Sequence, residues 1–137
     1  MKIINNTFFL RFSIAIILLA HSIPSFLDNS INDFGNLYLN QNGFAPVGVY
    51  IAWAIKISHV VAALCLLLEK YVKLVSIVTI FILLMGIIMV HYQEGWYVGG
   101  GGRNGVEFNF LLIFVFLTLI FPNDIATTKD DVQKQIQ

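Results

Sequence analysis

The chain has 137 residues, 58% hydrophobic and 12% charged, with a mean hydropathy of +0.79 and a formal net charge of zero. Soluble domains carry roughly 45–50% apolar residues, so this composition excludes an ordinary water-soluble fold. The neutral balance removes the basic surface that nucleic-acid binding requires.

A bilayer core about 30 Å thick demands roughly 17–25 apolar residues of a spanning helix, and four stretches come near that length. The first runs from about Thr7 to Leu27, interrupted by Arg11, His21 and Pro24. Its lysine-led start resembles a secretory signal, but no small-x-small cleavage site follows, and it is expected to be retained. A loop from about Asp28 to Pro46 is rich in Asn, Asp and Gly, with a short amphipathic piece around Phe34 to Leu39 expected to lie on the membrane surface. The second span, about Val47 to Leu68, contains Lys56 and His59, and the third, Leu74 to Val90, is free of charge. The fourth, Val106 to Phe121, covers only about 24 Å at the helical rise, so it is expected to borrow length from the glycine-rich side, starting near Gly102. The single cysteine, Cys65, can form neither an intramolecular disulfide nor a CxxC relay.

Lys2, Lys70, Lys73, Lys129 and Lys134 flank one side of these spans and only Arg103 the other. Basic residues in short loops stay cytoplasmic. The expected architecture is therefore an all-α integral membrane four-helix bundle, residues 1–123, with both termini cytoplasmic and a polar cytoplasmic tail, residues 124–137. The expected location is a bacterial or archaeal cytoplasmic (inner) membrane, crossed several times.

An ionisable side chain at a helix centre in lipid costs about 2.5–3.5 kcal/mol on insertion scales, so each asks for a partner, a cavity or a route to the interface. Arg11 lies near the cytoplasmic end of its span, where it either snorkels to the headgroups or pairs inside the bundle. His21, His91 and Glu107 come from three helices and share one level toward the outer side, where they either mark the water boundary or meet. Lys56 lies about 14 Å from Val47 along its helix, near mid-membrane, and a pair with Glu107 is the simplest way to bury both charges. His59, three residues on, shares its face.

These residues, with Asn109, Tyr92 and Trp53, outline a polar pocket in the outer half; the alternative is a purely structural Lys56–Glu107 pair. A haem between His21 and His91, a metal on His21, His91 and Glu107, and a Schiff base on Lys56 are weaker readings, since no HxxxH or ExxH spacing supports a centre. No metal is assigned. The run HYQEGWYVGGGGRNG, residues 91–105, lacks GxxxxGK[ST] and a preceding strand, so it is no phosphate loop. It is expected to fold as a lid over the pocket.

The arginine-early, histidine-late RFSIAIILLAHSIPSF, the LLL ending of the second helix before EKYVK, and MVHYQEGWYVGGGGRNGVEFNFLLI together resemble the DoxX family of small membrane proteins, over about residues 7 to 123. Helix two of that family often carries a glutamate where this chain has Lys56. The resemblance implies quinone-linked redox chemistry, including thiosulfate oxidation with quinone as acceptor, or anchoring of redox-protective assemblies. On this expectation Glu107, His91 and His21 handle protons and Lys56 stabilises reduced-quinone charge. His59, Trp53, Tyr92, Arg103 and Asn109 complete the binding wall, and a quinone is the candidate cofactor. The partners expected are the lipid bilayer and either other membrane proteins or a second copy of the chain. The rival expectation is a non-catalytic scaffold or accessory subunit of a larger complex.

Overall fold

The computed structural model describes residues 6–99 and 104–122, all of whose regular elements are helical apart from one isolated bridge between Val98 and Asn104. Helix α1 spans Phe8–Leu27. Helix α2 is the short Ser30–Asp33 turn, which continues in wider π-type turns over Phe34–Phe44 and breaks at Asn42 and Gly43. Helix α3 is Gly48–Leu67 and α4 is Val72–Gly86, the latter prolonged by a π turn, Ile87–His91, and a 3-10 turn, Tyr92–Glu94. Helix α5 is Glu107–Ile120. Three of these, Phe8–Leu27, Gly48–Leu67 and Val72–Glu94, are long and apolar enough to cross a membrane, and α5 is a shorter apolar helix.

Two surfaces separate on every long helix. Phe9, Phe12 and Ile16 on α1, and Leu74, Ile77 and Phe81 on α4, are exposed, which in lipid is their preferred solvent. One buried cluster draws on four helices: Ile14, Ala15 and Leu18 from α1, Ala62, Ala63 and Leu66 from α3, Val75 and Leu83 from α4, and Leu112, Ile113, Phe116 and Leu119 from α5. The alanines let α1 and α3 approach closely, the usual device where hydrophobicity cannot drive helices together. Helix α1 packs on α3, α4 packs on α5, and α3 meets α4.

The surface piece expected around Phe34 to Leu39 is helical and longer, reaching Phe44. Ile31 and Leu39 bury against Ala52 of α3 in a second cluster, and a Cβ on Gly35 would run into the Val49 backbone. The Tyr38 hydroxyl donates to the Met89 carbonyl oxygen, tying this segment to the π turn of α4.

Helix α5 does not borrow length from the glycine side. It starts at Glu107, with Val106 at its N-cap, and its 14 residues cover about 21 Å. Instead, the preceding loop folds back and supplies acceptors to its first N–H groups: Val106 N donates to Gly95 O and Glu107 N to Trp96 O, each at 3.0 Å. Gly105 is buried directly against the Trp96 and Tyr97 carbonyls, where any Cβ would collide. Two ends therefore differ: a short-turn end at residues 68–71, and a long-loop end carrying residues 28–47 and the glycine loop.

Candidate functional site

Arg11 does not snorkel. It is 1% exposed, and its guanidinium donates to Leu66 O at 2.7 Å and to Thr7 Oγ1 at 3.2 Å, and pairs with Glu69 Oε2 at 3.4 Å. Leu66 lies in the last turn of α3, where carbonyls lack intrahelical donors and the helix dipole favours a cation. The partners α3 offers at its C-terminus explain why burial wins over the headgroups.

At the other end of the same helix pair, Lys56 Nζ donates to His21 O at 2.8 Å. The Arg11–Leu66 and Lys56–His21 contacts share one antiparallel register, so α1 and α3 run alongside each other without slippage. Pro24, inside α1, has no N–H for the Ala20 carbonyl, one residue before His21. Ser25 Oγ stitches the same turn by donating to Ser22 O at 2.7 Å. The expected Lys56–Glu107 pair is thus replaced. Glu107 Oε1 instead accepts from Val98 N at 2.6 Å, because the fold-back of the loop brings that N–H to the start of α5.

His59 is the most unusual member. It is 3% exposed, and neither ring nitrogen has a partner among the described residues. Its nearest aromatic neighbour is His21, with ring centroids 5.9 Å apart and planes tilted by 53°. Ser22, fully buried on α1, likewise leaves its hydroxyl unpartnered; sequence reading passed it over, since a serine between His21 and Ile23 carries no pattern. Buried polar atoms without partners are rare enough to need a reason.

His91 closes the π turn that prolongs α4. Its Nδ1 is 2.5 Å from Asn104 O, which ties the end of α4 to the glycine loop. Asn109, 8% exposed, lies with the His91 ring against Gly86. Two expected wall residues face elsewhere. Trp53 Nε1 donates to Asn32 Oδ1 at 2.9 Å and its ring packs on Phe26, while Tyr92 is 76% exposed. Arg103, the glycines at 100–102, the flanking Lys2, Lys129 and Lys134 and the tail 124–137 lie outside the described residues.

Just beyond α1, Asp28 accepts from Ser30 N at 3.0 Å. Hydrogen bonds from Ser30, its side chain first, hold the Asp28 carboxyl below its ordinary value. The structure brings His21, Lys56 and His59 together where α1 meets α3, sets His91 with Asn109 at Gly86, and ties Glu107 to the loop. A cavity of about 360 Å³ lies nearby on the loop side, lined by Val98, Glu107, Phe108 and Leu111. A second, of about 580 Å³, lies at the short-turn end beside Arg11 and Glu69.

No curated protein and no solved structure matches the chain. The family model of DoxX matches residues 7–92, from the start of α1 through the π turn of α4, and stops short of the glycine loop and α5, to which the sequence resemblance extended. With more than half of the chain matched and three helices long and apolar enough to cross a membrane, the protein is a multi-pass membrane protein that belongs to the DoxX family.

Proposed function

We propose that this protein is a four-helix bundle of a bacterial or archaeal cytoplasmic membrane, with both termini in the cytoplasm, that works in quinone-linked redox chemistry within a membrane oxidoreductase complex. A quinone-type head group would sit at the long-loop end, its carbonyl oxygens facing His21, Lys56, His59 and His91. The observation that carries this reading is His59, a buried imidazole with two unpartnered nitrogens beside a second histidine and a lysine. An imidazole N–H supplies the donor that a quinone carbonyl needs. The Lys56 ammonium has three N–H bonds, so those not used on His21 O are available to the negative charge that a quinone acquires on reduction. Glu107 serves this site indirectly, by closing the loop over it.

A second reading, the non-catalytic scaffold, is favoured by the bonds the two cations already make: Arg11 and Lys56 each join α1 to α3, which is what helix packing alone would require. Replacement separates the two. Lys56→Met and His59→Gln, assayed in native membranes with the partner complex, should lower quinone-dependent turnover by roughly 10²-fold, the scale of losing one preorganised electrostatic group. Unchanged turnover with normal amounts of folded protein would leave only the scaffold. Proteins retained through purification in mild detergent identify the complex in either case.

A further inference from the structure

We infer that His59 and His21 form a proton-exchange pair linking the helical interior to the long-loop surface. The inference is independent of whether a quinone binds, since it rests on the two rings alone. His59 is enclosed on α3, whereas His21, on α1, is exposed. Their ring centroids are 5.9 Å apart and no direct hydrogen bond joins them. A proton passes between two neighbouring imidazoles when a ring rotation brings their nitrogens together or when one water bridges them. Imidazole is the side chain suited to the task, because one nitrogen can accept a proton as the other releases one.

The surroundings bear on the direction of transfer. The charged and titratable groups around the pair are Lys56 on α3, bonded to the His21 carbonyl, and His91 at the end of α4, with Asp28 just after α1 on the far side of Lys56 and the uncharged Asn109 of α5 beside His91. All of these belong to the long-loop half of the molecule. Toward the short-turn end, His59 is followed on its own helix by the buried, apolar Ala62, Ala63 and Leu66, which offer no proton carrier. A proton on His59 therefore has its exit through His21, and any group reduced or oxidised beside His59 would exchange its protons with the long-loop side.

The test is the exchange rate of the His59 ring N–H with bulk water, read by water-to-ring magnetisation transfer in full-length, 15N-histidine-labelled protein in lipid bilayers. His59→Gln assigns the signal. The wild-type chain should exchange readily, and His21→Phe should slow exchange by about a hundredfold, the lower end of what a positioned proton carrier contributes, with amide protection of α1 and α3 unchanged. His21→Gln preserves size and polarity but cannot relay a proton, and it provides the same readout where Phe is not tolerated. Equal rates in wild type and either folded variant would overturn the inference, as would a wild-type His59 that does not exchange at all.

Discussion

Arg11 keeps a full charge at a site 1% exposed because three acceptors, on Thr7, Leu66 and Glu69, converge there. Removing one partner of a buried pair strands the other, so Arg11→Met should destabilise the protein by roughly 3 kcal/mol, seen as a lower melting temperature in detergent. Half-exposed Glu69 is less costly to strand. Asp28 gives a pH-dependent counterpart. Its carboxyl is lowered in the folded state from the ordinary 3.8, through the hydrogen bonds from Ser30. The stability it adds is thus complete above that ordinary value and is lost as pH falls through the lower folded one. Asp28→Asn should melt lower than wild type at neutral pH and converge with it in strong acid; a constant gap would contradict the assignment. Sequence alone located these groups but mispaired one of them. Depth along a helix can be counted from residues, and it brought Lys56 and Glu107 to similar levels. What it could not supply was the path of the loop, which delivers the Val98 N–H to Glu107, or the α1–α3 register that sets the His21 carbonyl against Lys56.

The end of α3 shows how an element's termination can depend on a residue of another. Lys70 N donates to Cys65 O at 2.9 Å and Glu69 N to Leu66 O at 3.3 Å, the bonding of a Schellman motif. Glycine is usual at the left-handed position of that motif, yet Glu69 occupies it at φ 56°. The ion pair with Arg11 offsets the backbone penalty. Glu69→Gly relieves strain while deleting the pair, whereas Glu69→Gln deletes the charge and keeps the strain. The glycine variant should therefore be the more stable of the two by about 1 kcal/mol, measurable by thermal unfolding side by side. The boundaries of α1 and α3 were legible within a residue or so, because charge and turn residues bracket unbroken apolar runs. The apolar run from Val106 marked the start of α5 equally closely, and only the extra turn expected from Gly102 is missing. The apolar pattern of α5 begins where the helix does, and only the loop's backbone bonds to Val106 and Glu107 reveal that no further turn precedes it.

At the scale of the molecule, the division into a short-turn end and a long-loop end fits the basic residues Lys70 and Lys73 in or beside the short turn. Single cysteines at Asn32 and Gly101, in a Cys65→Ser background, should react with an impermeant reagent from outside intact cells, and one at Lys70 only after permeabilisation. The reverse pattern would invert the proposed topology. The helical, membrane-embedded character was readable from composition, since so apolar a chain has few other options; the pairing of α1 with α3 was not, because it depends on which faces carry Ala15, Ala62 and Ala63.

That pairing has a consequence for biosynthesis. Arg11 on α1 finds its acceptor on Leu66, and Lys56 on α3 finds its own on His21. Each segment thus carries a cation that bonds to a carbonyl of the other, and the two are separated by the whole of α2. As the nascent chain emerges, α1 offers its guanidinium the Thr7 hydroxyl, and the Leu66 carbonyl and the Glu69 carboxylate come only with the end of α3. The two helices are best suited to partition into lipid together, as a hairpin, with α4 and α5 added to a unit whose cations are already hydrogen-bonded.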